Sequence, residues 1–491
     1  MNIHLQLDRN SEHSLQDQLF EQLRQMILTG ILKPNSRLIA TRFLAEQIGV
    51  SRTTVLLVYE RLISEGYLET RPAVGTFVSP TPPADTPPAD SKLASPHASN
   101  LDVPRQASLR PAMLHGMADT HVKTPDGYID FSPLQYELSQ LLPPKTWLRG
   151  IRSVLEGGEK AITAPPLAGV RPLRQAICDH LVATRGLAVS PDQVVIVSGR
   201  QQACSFIAHL FQHRGDRVVL ESPCDGHLTT FFGFRDAEIV PVPVDGEGLE
   251  TDRLPDGEVS LAYVSPARQN PTGGTMPVAR RKALIEWARA AGSYVVEDDT
   301  DGDLLYFGAP PPPLMALDPY GLAFFMGSFA KSLGSGMAFA YLVSPPEFVE
   351  AILALKVFAD GGRQWLEQMV VADLLNSGQY DHHLRRLRKQ NLERRDCLID
   401  ALRSHFGDVR LMGTEIGSQL TWILPEEFPD ARVLCGVARA HGVILKHAAS
   451  ARGMHPESAE RFDRAVLIGY GHLPIDQIRT GIARLADAIT L

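Results

Sequence analysis

Apolar residues in the first 80 positions recur at the spacing of amphipathic helices. The first helical stripe ends before Gly30 and consists of Leu15, Leu19, Phe20, Leu23, Met26 and Ile27. A shorter helix is predicted over residues 41–48, followed by Gly49, and Ser51 is a favourable N-cap for a third helix. The segment GYLETRPAVGTFVS then alternates apolar and polar residues, which predicts a β-hairpin. Three helices and a hairpin over residues 10–79 indicate a winged helix-turn-helix domain.

Further along the chain, short β-rich runs alternate with longer helical patterns. The runs are VVIVSG (194–199), RVVLESP (217–223), SLAYVSP (260–266), SYVVEDD (293–299) and LAFFMGS (322–328). Helical stretches such as Val278–Ala291 lie between them, and this alternation is typical of βαβ units in a mainly parallel sheet. Residues beyond about 345 become helical and end in a small α+β segment. The sequence therefore predicts a large α/β domain over residues 120–491.

A proline-rich segment separates the two predicted domains. Eight prolines stand from Pro80 through Pro111, among Ala, Ser, Asp and Thr residues. Proline has no backbone N–H and disfavours helix at the residue before it. Residues 80–119 are therefore predicted to form an extended, mobile linker.

Composition and charge exclude several classes of protein. Of the 491 residues, 44% are hydrophobic and 21% are charged, which is typical of a globular chain. No apolar run is long enough to span a membrane, and the N-terminus lacks the basic flank and apolar core of a secretory signal. Five cysteines show neither CxxC pairing nor zinc spacing, so we expect reduced thiols in a cytoplasmic protein and no metal site. The net charge of −8 argues against a chain that coats nucleic acid non-specifically.

Polar residues at the predicted start of the third helix have the chemistry of a DNA contact. Arg52 can form a bidentate pair with guanine in the major groove, and the hydroxyls of Ser51, Thr53 and Thr54 suit phosphate oxygens. Arg42, one helix earlier, could bind a backbone phosphate, and the hairpin tip at Gly75 could enter the minor groove. The alternative is an ordinary solvated helix end. Residues 1–80 have eight basic and eight acidic side chains, and this neutral balance lacks the excess of positive charge that is typical of DNA-binding domains.

A second set of residues follows successive predicted strands of the large domain. Lys331 could form a Schiff base with an aldehyde, and Asp298 could hold a pyridinium proton. Asn270 could donate to a ring hydroxyl, and Ser198 and Gly199 offer backbone donors for phosphate before a helix. Each residue also has an ordinary explanation, namely a solvated lysine, a helix-capping aspartate and a common Asn-Pro turn. Because carboxyl ends of parallel strands share one edge, we expect these groups to lie together.

Two stretches of the chain resemble known families. The segment LAEQIGVSRTTVLLVYERLISEGYLETRPAVGTFV resembles the GntR-type DNA-binding domain. The elements SGRQQA, SPARQNPTGG, VVEDD and SFAK occur in the order found in fold-type I aminotransferases, a similarity that spans about residues 120–490. The whole chain is thus similar to the MocR-type regulators of the GntR family. This resemblance implies a ligand-responsive transcriptional regulator that binds a double-stranded DNA operator.

The resemblance also implies a cofactor and partners. The cofactor is pyridoxal 5'-phosphate, with Lys331 as the Schiff-base lysine, Asp298 as the partner of the pyridine nitrogen, Asn270 as the partner of the ring hydroxyl and Ser328 as a phosphate ligand. The effector is a small amine, an amino-acid-like molecule or the cofactor itself. The resemblance further implies a head-to-tail homodimer, in which one chain's DNA-binding domain lies against the other's large domain.

Four positions in this sequence depart from the family pattern. Ala338 stands where an arginine usually binds the cofactor phosphate, and Thr300 and Ala164 replace aromatic residues. Asp225 stands where an aromatic ring is expected, and such a carboxylate could instead face a cationic ligand. Losing a buried guanidinium from a phosphate costs about 1.5–3 kcal/mol, or roughly one to two decades in dissociation constant. Arg200 is a nearby candidate to compensate.

Two other functions stay open at this stage. One is the same regulator with a ligand-sensing domain that has lost the cofactor, which the four departures favour and which Lys331, Asp298 and Asn270 oppose. The other is a working aminotransferase, which needs a cation for the substrate carboxylate. Leu467 stands near the position where related enzymes often have that arginine, with Arg464 close by. We therefore expect no catalytic residues and an aminotransferase-like domain without transaminase activity.

Overall fold

The computed structural model of the chain describes residues 5, 7–8, 14–71, 74–80, 124–133, 142–156, 166–334, 340–362, 365–448 and 454–490. The chain forms two compact units, Met1–Val103 and Pro104–Leu491, which are described separately below. From residue 81 the predicted linker lies outside the described residues, and the predicted domain limits at 10–79 and 120–491 stay predictions. Among the described residues, no helix has both the length and the apolar character needed to cross a membrane.

The N-terminal unit contains three helices followed by a two-stranded antiparallel sheet. They are α1 (Leu15–Leu28), α2 (Thr41–Ile48), α3 (Arg52–Ser64), β1 (Leu68–Arg71) and β2 (Gly75–Val78). Gly49 ends α2 in the left-handed conformation with φ +67°, which a residue with a side chain rarely adopts. The predicted apolar stripes converge in one core that includes Leu19, Leu23, Val55, Val58 and Leu62. The prediction of a winged helix-turn-helix fold is confirmed.

The C-terminal unit is a large α/β structure with many elements. Its strands are β3 (Ile129–Asp130), β4 (Val194–Val197), β5 (Arg217–Ser222), β6 (Glu238–Asp245), β7 (Gly248–Leu249), β8 (Leu261–Val264), β9 (Tyr294–Asp298), β10 (Ala323–Ser328), β11 (Ala340–Val343), β12 (Arg410–Met412), β13 (Gln419–Ile423), β14 (Val443–Ile444), β15 (Lys446–His447) and β16 (Ala465–Gly469). Its helices are α4 (Pro144–Glu156), α5 (Arg171–Arg185), α6 (Arg200–Phe211), α7 (Gly226–Phe234), α8 (Val278–Ala291), α9 (Leu314–Leu317), α10 (Ala330–Leu333), α11 (Val349–Ala359), α12 (Trp365–Asn376), α13 (Gln379–Phe406), α14 (Ala431–Ala440), α15 (Pro456–Arg461) and α16 (Ile475–Thr490).

Eight strands form the central sheet in the order β7-β6-β5-β8-β9-β10-β11-β4. The strands from β6 to β10 are parallel, whereas β7 and β11 pair antiparallel with their neighbours. Alternate residues of β4 enter cores on opposite faces, with Val194 and Ile196 on one side and Val195 and Val197 on the other. Helices cover both faces, which explains the nearly continuous apolar strands. The predicted α/β fold is therefore confirmed.

The last part of the chain forms a smaller sheet beside long helices. Strands β12, β13, β16 and β15 lie in that order and are antiparallel. Their core includes Trp422, Leu420 and Ile468 from the sheet, and Leu398 and Ile482 from α13 and α16. This is the α+β segment that the sequence predicts after residue 345.

Candidate functional site

The start of α3 presents two side chains to solvent, and two neighbouring side chains form its N-terminal cap. Ser51 Oγ accepts a hydrogen bond from the Thr54 N–H at 3.1 Å and lies 2.8 Å from Thr54 Oγ1. Ser51 is therefore the predicted N-cap, and it holds the hydroxyl of Thr54 close to itself. Arg52 and Thr53 are exposed beside this cap. These two side chains are the ones in the predicted Ser51–Thr54 set that are free to reach DNA without breaking the cap.

The other predicted DNA contacts lie on α2 and the hairpin. Arg42 is exposed at the second position of α2. Gly75 begins β2 with φ +135°, and a Cβ at this position would come 3.0 Å from Arg37 Nε. Glycine thus allows Arg37 to pack against the hairpin, which places an additional exposed cation there. Sequence reasoning missed Arg37 because it lies in a loop far from the hairpin along the chain.

The predicted cofactor residues of the large unit follow strands that end at one edge of the central sheet. Ser328 pairs with Ala340 of β11, and Ala340 pairs with Val197, the residue before Ser198. Met326 pairs with Asp298 at the end of β9. Strands β4, β9 and β10 point the same way, so Ser198, Asp298 and Ser328 lie at their carboxyl ends. This is the edge at which ligands bind in open α/β sheets.

Asp298 is buried and already has partners within the chain. Its Oδ2 accepts a hydrogen bond from Tyr263 Oη at 2.6 Å, and its Oδ1 accepts one from the Thr300 N–H at 3.0 Å. Burial raises the pKa of Tyr263 well above its ordinary value, and the nearby Asp298 carboxylate raises it further. The phenol therefore keeps its proton and donates a hydrogen bond to Asp298. Tyr263 was missed by sequence reasoning because nothing distinguishes it from a core tyrosine of β8.

Lys331 lies in the short helix α10 and forms an ion pair with Asp301. Arg268 reaches the same carboxylate at 3.2 Å and also donates to the carbonyls of Ile416 and Gln419. Burial acts to raise the pKa of Asp301, but the attraction of Lys331 and Arg268 outweighs it and holds that pKa below its usual value. The carboxylate is therefore ionised between two cations. Neither Asp301 nor Arg268 was a predicted site residue.

Arg200 and Asp225 form a second ion pair at this edge. Arg200 is the first residue of α6, and its Nη1 also lies 3.6 Å from Asp298 Oδ2. Asp225 caps α7, because its Oδ1 accepts a hydrogen bond from the His227 N–H at 3.0 Å. Burial acts to raise the pKa of Asp225, but Arg200 and the capping bond lower it overall. The cation that faces Asp225 in this structure is therefore Arg200, where the sequence also allowed a cationic ligand.

The remaining predicted residues are one that lines a cavity and three that stand at the ends of strands β4 and β10. Asn270 lines the cavity together with Ser265, Ala267, Arg268, Asp298, Asp299, Thr300, Asp301 and Gly302. Ser328 Oγ accepts a hydrogen bond from the Ala330 N–H at 3.1 Å. The Ser198 N–H donates to Gln202 Oε1 at 2.8 Å, so a phosphate would have to displace Gln202 to reach this donor, and Gly199 precedes α6. Ala338 and Ala164 lie outside the described residues.

The donor set fits a phosphorylated pyridine aldehyde in part. An amine (Lys331), a buried carboxylate (Asp298), an amide (Asn270) and a hydroxyl (Ser328) stand at one sheet edge, and these are the groups that such a molecule needs. The contact between Arg200 and Asp298 is an additional feature, since it gives Asp298 a cationic neighbour from the chain itself. The roles of the individual residues stay predictions.

Two separate segments of the chain match known families. Residues 15–78 match the family described as bacterial regulatory proteins, gntR family. Residues 127–449, more than half of the chain, match aminotransferase class I and II.

Two relatives match nearly the whole length of the chain, and a solved aminotransferase structure matches about three quarters of it. The chain is 31% identical to the probable rhizopine catabolism regulatory protein MocR of Rhizobium meliloti, over 99% of this chain and 95% of that protein. It is 29% identical to the pyridoxine biosynthesis transcriptional regulator PdxR of Corynebacterium glutamicum, over 99% and 98%. The crystal structure of LysN, an α-aminoadipate aminotransferase of Thermus thermophilus complexed with N-(5'-phosphopyridoxyl)-L-leucine, matches with a TM-score of 0.65 and 26% identity over 74% of this chain and 92% of LysN. The chain therefore belongs to the MocR-type regulators of the GntR family, in which a winged helix-turn-helix domain is joined to an aminotransferase class I and II domain.

Proposed function

We propose that this ligand-responsive DNA-binding regulator binds a double-stranded operator through α3 and the hairpin, and senses ligand in the aminotransferase-like domain. Pyridoxal 5'-phosphate is the proposed cofactor, and a small amine or amino-acid-like molecule is the proposed effector. The observation that carries the proposal is the presence, at one sheet edge, of Lys331 beside Asp301 and of Asp298 beside Asn270, in a chain that also has an exposed Arg52 at a helix start.

Each residue would contribute a distinct contact. When bound, the cofactor supplies an aldehyde that bonds reversibly to amines, which suits an amine sensor. Lys331 provides the amine that holds it, and Asp301 and Arg268 fix the position of that side chain. Asp298, oriented by Tyr263 and the Thr300 N–H, provides a negative charge for a ring nitrogen. Ser328 provides a hydroxyl for phosphate.

A regulator of this kind needs its ligand to favour one state of the protein. We propose a homodimer, so that two copies of α3 meet two operator half-sites. The segment 80–119 would connect the sensor to the DNA-binding domain. Binding of the effector amine at the site of Lys331 and Asp298 would then change the operator affinity of the dimer. The cytoplasm is the compartment in which such a protein would meet its operator.

We further propose that the domain does not work as an aminotransferase. Leu467 is an apolar residue of β16 packed against Phe462 and Val244, so it offers no cation to a substrate carboxylate. The nearby Arg464 donates to the backbone carbonyls of Leu424, Pro425 and Phe428, which commits its guanidinium elsewhere. A transaminase needs such a cation to orient its substrate.

A cofactor-free sensor is the second candidate function. The observation that favours it is the 3.6 Å contact between Arg200 Nη1 and Asp298 Oδ2, because Asp298 then has a cationic partner without a pyridine ring. In that case the cavity beside Asn270 and Asp301 would bind the effector directly.

Operator binding and transamination can be measured on one preparation. We expect the purified chain to select a defined duplex from a random pool and to bind it at submicromolar concentration. We expect no turnover of L-alanine with 2-oxoglutarate in the presence of pyridoxal phosphate. Steady turnover that disappears in Lys331→Ala would contradict the proposal that the domain has no transaminase activity. Failure to enrich any duplex would contradict the regulator function.

A further inference from the structure

Arg268, Lys331 and Arg200 stand at the carboxyl edge, and they differ in how strongly the chain already holds them. Arg268 is almost fully buried, with its side chain 1% exposed, and it bonds to Asp301 and to two backbone carbonyls. Lys331 is paired with Asp301. Arg200 and Lys331 are more accessible, with side chains 21% and 18% exposed, and Arg200 is paired with Asp225 and lies 3.6 Å from Asp298. Since Lys331 is the proposed bonding amine, Arg200 is the accessible cation of these three that is left to exchange a carboxylate for another anion.

Arg200 has its backbone near the proposed phosphate donors Ser198 and Gly199, and its side chain near Asp298. Its backbone begins α6 directly after Ser198 and Gly199, where a helix N-terminus favours an anion. Its guanidinium reaches across to Asp225 and lies 3.6 Å from Asp298. A pyridine nitrogen and Arg200 would therefore draw on the same Asp298 carboxylate, and occupancy of Asp298 by a ring would weaken the hold on Arg200.

We propose that Arg200 is the cation that this chain offers to the cofactor phosphate, and that Asp225 competes with the phosphate for it. The inference rests on the proposed cofactor. Ala338 cannot provide a guanidinium, so a cation for the phosphate would have to come from another position of the chain. A guanidinium binds phosphate and carboxylate with the same fork of N–H donors, so the two anions exclude each other at Arg200. Asp225 is then a specificity residue that sets how tightly phosphorylated ligands are held.

The competition predicts opposite effects of two substitutions. Arg200→Gln should lower the affinity for pyridoxal phosphate about 10- to 100-fold, because the phosphate loses a charged donor. Asp225→Asn should raise it several-fold, because Arg200 is released. In the double variant, Asp225→Asn should have no further effect, since Asp225 acts only through Arg200. Asparagine is also a good N-cap, so α7 keeps its cap in this variant.

Unphosphorylated pyridoxal is the matched probe. Dissociation constants for both aldehydes come from titration of the Lys331-dependent visible absorption band, which does not rely on enzymatic turnover. Because pyridoxal has the same ring but no phosphate, the ratio of the two affinities isolates the phosphate contact. We expect this ratio to fall about 10- to 100-fold in Arg200→Gln and to rise several-fold in Asp225→Asn. Asp245→Asn, which breaks the Arg280–Asp245 ion pair between α8 and β6, serves as a control for loss of a carboxylate and should change neither affinity.

The outcomes separate this inference from the proposed function. If the ratio of pyridoxal phosphate affinity to pyridoxal affinity is the same in wild type and Arg200→Gln, the role of Arg200 is overturned and the proposed cofactor still stands. An Asp225→Asn effect of equal size in the presence and absence of Arg200 would overturn the competition. A wild type that shows no Lys331-dependent band with either aldehyde would overturn the proposed cofactor together with this inference. Thermal unfolding of each variant shows whether it is folded.

Discussion

Replacing Lys331 with alanine is expected to abolish the visible absorption band that pyridoxal phosphate gives with the wild-type chain. Lys331 is the predicted Schiff-base residue, and in the structure its amine lies against Asp301 at the wall of the candidate cavity. An alanine cannot form the covalent bond, so the loss should be complete rather than partial. The measurement is a difference spectrum of each protein with added pyridoxal phosphate.

Lys282→Ala is the matched control for this spectrum. Lys282 is an exposed residue of α8, and its removal changes the charge of the chain by the same amount. The control should keep the full band. A band retained in Lys331→Ala but lost in another lysine variant would move the bond to that residue. Removal of Lys331 also leaves Asp301 with Arg268 as its remaining cation, so a modest loss of thermal stability is expected.

Replacing Arg52 with alanine is expected to weaken operator binding by about 1–3 kcal/mol, or roughly 5- to 150-fold, if the side chain binds a guanine. Arg52 is the first residue of α3 and is exposed beside the Ser51 cap. Because Ser51 and Thr54 form the cap without Arg52, the substitution should leave the helix intact. The measurement is fluorescence anisotropy of a selected duplex at fixed salt concentration.

Replacement of one base pair in the operator tests whether Arg52 contacts a base or only a phosphate. Wild type should lose affinity when the contacted G·C pair is replaced with A·T, whereas Arg52→Ala should no longer distinguish the two duplexes. Lys33→Ala, another exposed cation of the N-terminal unit, should not alter this discrimination. An unchanged footprint and affinity in Arg52→Ala would show that the residue does not contact the operator.

Local structure could be predicted well from the sequence where a short stretch contains its own signals. Helix α8 has the predicted limits, Val278–Ala291, and α2 ends at Gly49 as expected. The N-cap at Ser51 is also present. In each case the apolar spacing and the residue at the helix end lie within a few positions of each other. Strand β11 escaped prediction because it is buried and antiparallel within a mainly parallel sheet, and its sequence alone does not give its direction.

The contacts within the candidate site could not be predicted in the same way. Lys331 is 30 positions from Asp301, and Arg200 is 25 positions from Asp225. Their approach depends on the order of strands in the sheet, which brings β4, β9 and β10 to a common edge. Sequence analysis identified the residue types that cofactor chemistry needs. The sequence alone does not show that Asp225 pairs with Arg200, or that the Gln202 side chain accepts a hydrogen bond from the Ser198 N–H.

The dependence of operator affinity on pyridoxal phosphate, in wild type beside Lys331→Ala, tests the central claim most directly. If the large domain is a sensor that acts through Lys331, the cofactor should change the operator affinity of the wild type about 5- to 150-fold, the range of typical allosteric coupling. Lys331→Ala should bind the same duplex with an affinity that the cofactor does not alter. Equal responses in the two proteins, or no response in the wild type, would contradict a regulator that senses through this lysine.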